Sequence, residues 1–347
     1  MISKKTTFLS AAFLILFIFA VGFSGCLDNI VIDIDDPSPA APSAAPSAAP
    51  SATPSAGPSQ TPAPVNTPAN SSAAKPGNDN GTISIASFNV QIFGESKAEK
   101  AEVMNVLAGT VQHYDIIGIQ EIRDRNGTAL PALVELVNSG VDESGEHYAY
   151  DYVVSDRLGR SSSKEQYAYI YNTKKVYVTS EPWVYPDDEK DYFERAPYIV
   201  SFAAVNGDFE AVLALIHTKP DDATNEIGRL DDVLDYAQSV YTDKENFLVM
   251  GDFNADGSYF NESGASDLRS DDYVWLIGND VVTTTKTNNT YDRIVITDEM
   301  NRYFNGNAGV YDIKTVFGLN QSQLTAVSDH YPVYAEFYAQ SGEATAA

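Results

Sequence analysis

Phe247-Leu248-Val249-Met250-Gly251-Asp252-Phe253-Asn254 is a short apolar run that ends in a carboxylate and a carboxamide. Closed by a glycine, such a run reads as a buried strand, and the polar residues after it stand at the strand's end. The arrangement recurs along the chain. Asn89 follows Ile83 to Phe88, Glu121 follows Ile116 to Gln120, and His217 follows Val212 to Ile216. Glu165 precedes Tyr167 to Tyr171, and Ser328-Asp329-His330 follows another strand-like stretch. Open α/β sheets carry their chemistry at strand ends, so these groups are expected to meet in one cleft. Carboxylates, amides and two imidazoles together suit a divalent cation and a phosphate.

Outward from these strings, β-rich runs alternate with a few amphipathic helices. Strands are predicted at Thr82 to Val90, Asp115 to Gln120, Tyr148 to Val154, Gln166 to Tyr171, Val176 to Tyr185, Tyr198 to Val205 and Phe209 to His217. Others follow at Phe247 to Met250, Arg293 to Ile296, Val310 to Asp312 and Val333 to Phe337. Ser96-Lys97-Ala98-Glu99 reads as a capping box that opens a helix with Val103, Leu107 and Val111 toward the core. Leu130 to Val137 is helical, and so is Asn225 to Tyr241, with Ile227, Leu230, Leu234 and Ala237 on one stripe. Many strands with helices between only some of them predict an α/β (α+β) fold, two mixed sheets packed face to face with helices outside.

The chain starts with Lys4 and Lys5, an apolar stretch from Phe8 to Phe23, and Ser24-Gly25-Cys26. Residues 1–26 therefore read as a signal peptide with a lipobox-like Cys26, whose lipidation would anchor an extracellular domain to the membrane. Residues 27–80 read as a disordered Pro/Ala/Ser-rich linker, 81–340 as the globular domain and 341–347 as a disordered tail. Cys26 is the only cysteine, so no disulfide staples the fold. After residue 80, 19 basic residues face 43 acidic ones, a balance of −24. Such a surface opposes nonspecific nucleic-acid binding, which rests on Lys and Arg, unless divalent cations and local arginines offset the repulsion.

IASFNVQIFGE (85–95), IGIQEIRD (117–124), KEQYAYIYN (164–172), RAPYIVSF (195–202), LIHTKPDDA (215–223), VMGDFNADGSY (249–259), TYDRIVI (290–296) and SDHYP (328–332) follow one another in this order. In order and context they resemble the endonuclease/exonuclease/phosphatase superfamily, and in detail its deoxyribonuclease I branch. The resemblance implies a deoxyribonuclease I-like four-layer sandwich and metal-dependent hydrolysis of DNA phosphodiesters with little sequence specificity. It implies Mg2+ or Mn2+ held by Asn89, Glu121, Asp329 and Asp252, with Glu121 the most direct ligand. His217 backed by Glu165 and His330 backed by Asp292 become the catalytic imidazoles, with Asp252 and Asn254 between metal and scissile phosphate. Arg123 matches an arginine that enters the minor groove, Arg195 matches one that holds a backbone phosphate, and Thr287 reaches the substrate. The chain is expected to act as a monomer.

Thr283, Thr285 and Thr287 resemble a calcium-binding loop, which makes Ca2+ a second expected ion, but the matching aspartate falls on Val281, with Asp280 one position away. Gln91 replaces a phosphate-binding arginine, Ser163 replaces an aromatic that stacks on deoxyribose, and Gly257 and Asn289 replace a cysteine pair. His113 and His147 read as packed or surface residues, and Asp187-Asp188-Glu189 as a solvated loop. Two alternatives stand beside the nuclease. A phosphodiesterase or phosphatase of the same superfamily would act on phospholipid or small phosphate esters. A catalytically silent surface binding module would have lost His217, His330 or Asp252, and all three are present.

Overall fold

A computed structural model describes residues 81–187 and 189–341. The signal segment with Cys26, the linker up to residue 80, Asp188 and residues 342–347 lie outside the described residues. In chain order the elements are β1 (Thr82–Phe93), α1 (Glu95–Ala98), α2 (Ala101–Val111), β2 (Ile116–Ile122), α3 (Ala129–Ser139), β3 (Tyr150–Val154), β4 (Gln166–Asn172), β5 (Val176–Val178), β6 (Trp183–Val184), β7 (Tyr198–Ala204) and β8 (Glu210–His217). They continue with α4 (Ala223–Ile227), α5 (Leu230–Val240), β9 (Phe247–Asp252), β10 (Tyr273–Trp275), β11 (Asp292–Thr297), β12 (Phe304–Val310), α6 (Ile313–Val316), α7 (Gln321–Val327) and β13 (Val333–Tyr338).

The strands form two mixed sheets, ordered β12-β13-β1-β2-β4-β3 and β10-β11-β9-β8-β7-β5, with β6 paired to β7. Ile83, Ile85, Tyr167, Tyr169, Leu213, Leu215, Leu248 and Met250 fill the space between them. Gly118 permits this approach, because a Cβ there would stand 2.7 Å from Leu215 Cδ1 and 2.9 Å from Met250 Cε. Phe88, Val90, Val103, Leu107, Leu133 and Leu324 join the first sheet to α2, α3 and α7 on its outer face. Val212, Ala214, Ile216, Val249, Leu230 and Leu234 join the second sheet to α4 and α5. The expected sandwich of two packed sheets flanked by helices is thus the observed one.

Strand parity then places the polar groups. Side chains alternate faces along a strand, so residues two apart share one. In β8, Ala211, Leu213 and Leu215 face the intersheet core, and His217 continues that series; in β9, Leu248 and Met250 lead to Asp252. Ile294 and Ile296 of β11 share the face of Asp292. His217 and Asp252 are register partners in the parallel β8/β9 pair, and Asp292 pairs with Asp252 across β9/β11. Three reactive groups therefore stand side by side at one end of the core.

Several local expectations are corrected. The capping box at Ser96 is not made: Ser96 lies inside the short α1, and α2 begins after Lys100 without a side-chain cap. A capping box does form at α7, between Asn320 and Gln323. The helix expected from Asn225 to Tyr241 breaks at Gly228 into α4 and α5, and the strand expected from Val176 to Tyr185 divides around Pro182. The strand expected at Val310 to Asp312 runs earlier, over Phe304–Val310, so Val310 ends it.

Gly251 has φ +145, and a Cβ on it would lie 1.8 Å from Ile216 O in the neighbouring strand. Gly251→Ala is therefore expected to destabilise the protein by about 2–4 kcal/mol, through backbone strain and a forced separation of β8 from β9. Gly81→Ala, with nothing within 4 Å of the new Cβ, should stay near wild type. Urea unfolding midpoints of the two variants check this contrast.

Candidate active site

Asp252 Oδ2 is the meeting point of the strand-end groups. His217 Nε2 and His330 Nε2 each stand 3.5 Å from it, and Asn89 Nδ2 donates to it at 3.0 Å. The far nitrogen of each ring meets a second carboxylate: His217 Nδ1 lies 3.0 Å from Glu165 Oε2, and His330 Nδ1 lies 2.8 Å from Asp292 Oδ2. All six side chains are buried. Both predicted histidine–carboxylate pairs are thus assembled, and they share one carboxylate between them.

The electrostatics follow from that row. Burial works against a charged His330 ring, but Asp292 and Asp252 outweigh it and raise its pKa to about 10. Burial pushes Asp292 up in turn; one proton held between the two at 2.8 Å, on the ring, satisfies both groups. Burial and the Arg195 guanidinium oppose protonation of His217, yet Glu165 and Asp252 still raise it. Burial also opposes ionisation of Glu165, but His217, Arg195 and Arg123 bring it down to about 2. Asp252 lies below its ordinary value for the same kind of reason: burial is outweighed by His330, His217 and the Asn89 and Asn254 donors.

Glu121, Asp252 and Asp329 supply hard oxygen ligands of the kind Mg2+ and its relatives take. Around them the donors are mostly neutral. Glu121 Oε1 accepts from Asn89 Nδ2 at 3.2 Å, Glu121 Oε2 from Ile92 N at 2.9 Å, and Asp329 Oδ2 from Gln91 Nε2 at 2.6 Å. The Arg123 guanidinium stands 3.5 Å from Glu121 but is drawn to Glu165 at 2.7 Å. Carboxylates in excess of local cations fit a divalent ion. Asn89 enters differently from its expected ligand role, because its Oδ1 accepts from Gln91 N at 2.9 Å and its amide donates to Glu121 and Asp252. Asp252, Asp292 and His330 also lie close enough to share a metal. Their facing atoms are already joined as imidazole and carboxylate, which favours the Glu121 side.

Strain concentrates here. Gln91, Ile92, Glu121, Asp191 and Asn254 are the non-glycine residues with positive φ among those described, and all but Asp191 line this site. Such conformations persist where surrounding structure holds them. Ser328 Oγ donates to Asn89 O at 2.6 Å, and His217 N donates to Tyr167 Oη at 2.9 Å. Lys97 Nζ donates to Val90 O at 2.6 Å, to Val327 O at 2.7 Å and to Gln91 O. Burial lowers Lys97 to about 8, with Glu121 and Asp329 pulling the other way, so it is charged at neutral pH. Neither Tyr167 nor Lys97 stood out in the sequence as a site residue. Their only signal was membership of the strings KEQYAYIYN and Ser96-Lys97-Ala98-Glu99.

Other expected residues have their polar groups engaged within the protein. Arg195 is 8% exposed, and its guanidinium donates to His217 O at 3.1 and 3.0 Å, Thr218 O at 3.3 Å and Glu165 at 3.4 Å. It braces His217 from behind instead of presenting a free fork to a phosphate. Arg123 folds back on Ser163 Oγ at 3.1 Å and Glu165. Asn254 Nδ2 donates to Thr218 O at 3.1 Å, and its N–H donates to Asp252 Oδ1 at 3.0 Å. The threonine loop is closed on itself. Thr283 Oγ1 accepts from Tyr291 N and Asp292 N, and the Thr284 and Thr287 hydroxyls pair at 2.7 Å. Those bonds shape a brace for His330, which bridges Thr284, and do not build a carboxylate-lined calcium site. His113 stacks on Tyr311 and His147 sits on the surface near Gly140 O, as expected of packed and surface residues.

A fold of two sheets with two carboxylate-backed imidazoles beside an oxygen-rich cation site defines a phosphoester hydrolase. Residues 86–330 match the model of the Endonuclease/Exonuclease/phosphatase family. Deoxyribonuclease gamma of Rattus norvegicus is 37% identical over 279 residues, covering 76% of this chain and 86% of that protein. Deoxyribonuclease-1 of Bos taurus is 36% identical over 264 residues, covering 73% of this chain and 91% of that one. A solved structure of ANGEL2, a 2′,3′-cyclic phosphatase, superposes with a TM-score of 0.51 at 13% identity, over 75% of this chain and 96% of that one, a likeness of fold. The chain belongs to the endonuclease/exonuclease/phosphatase family, among relatives named as deoxyribonucleases. It is a hydrolytic enzyme of the nuclease class.

The shifts fix a pH dependence of stability for the metal-free protein. Glu165 falls from 4.5 to about 2 on folding, so its contribution is complete above pH 4.5 and is lost as pH drops toward 2. His330 rises from 6.5 to about 10, so its contribution is complete below pH 6.5 and is lost as pH climbs through 10. Thermal unfolding in EDTA is expected to show both limbs. Glu165→Gln should flatten the acid limb and lower stability at neutral pH by about 3 kcal/mol, while His330→Gln flattens the alkaline one. An acid limb unchanged in Glu165→Gln would contradict the assignment.

Proposed function

We infer that this protein is a metal-dependent endonuclease that hydrolyses DNA phosphodiester bonds with little sequence preference. The observation that carries the reading is the convergence of His217 Nε2 and His330 Nε2 on Asp252 Oδ2, each at 3.5 Å. Two imidazoles on one oxygen can address both ends of an in-line displacement. His217, its Nδ1 held by Glu165 Oε2 at 3.0 Å, takes a proton from the attacking water at Nε2. His330, raised to about 10, holds a proton at neutral pH and delivers it to the leaving 3′ oxygen. The water oxygen bonds to phosphorus as the P–O3′ bond breaks, leaving a 5′ phosphate and a 3′ hydroxyl. Glu165 and Asp292 fix the two rings, and Asp252 and Asn254 orient water and phosphate between them. Glu121 and Asp329, with Asp252 close by, would hold Mg2+ or Mn2+. When bound, that cation supplies Lewis-acid stabilisation of phosphate charge.

DNA is the substrate suggested by the named activity of the relatives in rat and cattle. The departures at Gln91 and Ser163 support weaker or less duplex-selective cutting, since Gln91 donates to Asp329 and Arg123 to Ser163 instead of meeting DNA. An extracellular setting, with the chain tethered to a membrane through Cys26, rests on the amino-terminal sequence alone, and a monomer is the expected state. Incorporation of labelled palmitate that is lost in Cys26→Ala supports the tether, and its persistence in that variant rejects it. Among the described residues no helix is long and apolar enough to cross a membrane.

Supercoiled plasmid incubated with the full chain and Mg2+ is expected to be nicked, and EDTA should abolish nicking. His217→Ala and His330→Ala should each lower kcat by about 10² to 10⁴-fold, the usual weight of a positioned acid or base. Turnover of a phosphomonoester or a phospholipid without any cleavage of DNA would replace this reading with the phosphatase or phosphodiesterase alternative.

A further inference from the structure

We propose that Lys97 is a positioning residue of this active site, an internal cation that pins the strained end of β1 to the segment carrying Asp329 and His330. The inference rests on the metal-dependent hydrolase reading above. An ammonium offers three donors and no acceptor. Here all three have backbone partners: Val90 O, Gln91 O and Val327 O. Two of those carbonyls belong to the turn where Gln91 (φ 45) and Ile92 (φ 52) leave extended geometry. The third ends α7, immediately before Ser328-Asp329-His330. A cation at a helix C-terminus is also favoured by the helix dipole.

What the clamp joins are the two halves of the cation site. From the turn, Ile92 N donates to Glu121 Oε2 at 2.9 Å and Gln91 Nε2 to Asp329 Oδ2 at 2.6 Å. From the other side, Ser328 Oγ donates to Asn89 O at 2.6 Å. These bonds fix where the Glu121 and Asp329 carboxylates stand, yet each depends on the backbone that Lys97 holds. The same charge sits near both carboxylates without bonding to either, which eases their mutual repulsion. Lys97 therefore acts through the turn and through Asp329, not on the substrate.

The test measures Mn2+ binding to the DNA-free full chain by electron paramagnetic resonance, and separately kcat and KM for plasmid nicking. Lys97→Met, of similar length but uncharged, is expected to weaken Mn2+ binding at least tenfold. It should lower kcat by a comparable factor and leave KM for DNA within about twofold. Unchanged Mn2+ binding and kcat would overturn the proposal, and so would a raised KM at unchanged kcat, which marks a substrate contact. If Lys97→Met does not fold, Lys97→Gln, which keeps two donors, takes its place in the same measurements. Failure of both to fold assigns Lys97 to stability alone and overturns the positioning role. A wild-type chain that neither binds Mn2+ nor cuts DNA refutes the functional reading itself, whatever the variants do.

Discussion

A buried carboxylate shared by two imidazoles is the interaction on which this site depends. Asp252 is 2% exposed, and an isolated charge at such depth carries a desolvation penalty of several kcal/mol. The penalty is met by arranging charges in alternation: Glu165, His217, Asp252, His330 and Asp292 form one row of carboxylate and imidazole. Each ring lies between two acids, and Asp252 between two rings. Removing any member leaves a neighbour buried without its partner, so the row behaves as a unit rather than as five separate contacts.

The sheets hold that row in place, and the alternation of side chains explains why so much of it was legible in the sequence. The parity that sends Leu213 and Leu215 inward carries His217 to the same side, and Leu248 and Met250 do the same for Asp252. An apolar run that stops at a polar residue of matching parity is thus a readable sign of a strand-end site. Support from outside the strand is not readable in that way. Arg195 lies behind His217 because of a long-range approach, and Lys97 reaches Val327 across 230 positions of chain. Helix breaks at Gly228 and around Lys100 were also missed, since short helical segments are decided by what they pack against as much as by periodicity.

Local backbone conformation adds a second layer of information that no pattern of apolar residues reveals. Gln91, Ile92, Glu121 and Asn254 all occupy left-handed geometry at the edge of the cleft. β1 and β2 shift register between Asn89 and Phe93, and β2 shifts against β4 between Ile119 and Ile122. Bulges re-aim side chains where a regular strand would send them elsewhere. Without the shift, Glu121 would keep strict alternation from Ile117 and Ile119, which face the outer helices. The irregularity turns its carboxylate toward Asn89 and the cleft.

The absence of cysteine from the described residues shows how a loop beside such a site is closed without a covalent link. Gly257 and Asn289 face each other closely: a Cβ on Gly257 would stand 3.1 Å from Asn289 Nδ2. The connection runs instead through Asp256, whose Oδ2 accepts from Thr290 N at 2.9 Å and Asn289 Nδ2 at 3.2 Å. Burial raises the Asp256 carboxyl, but these donors outweigh it and hold it below its ordinary value, so it is ionised throughout the neutral range. The segment it anchors continues into Asp292, and the Thr283 hydroxyl accepts from the Asp292 N–H at 3.1 Å. The geometry of the His330–Asp292 pair is therefore held by hydrogen bonds to carboxylate and hydroxyl oxygens, which are indifferent to the redox state of the surroundings.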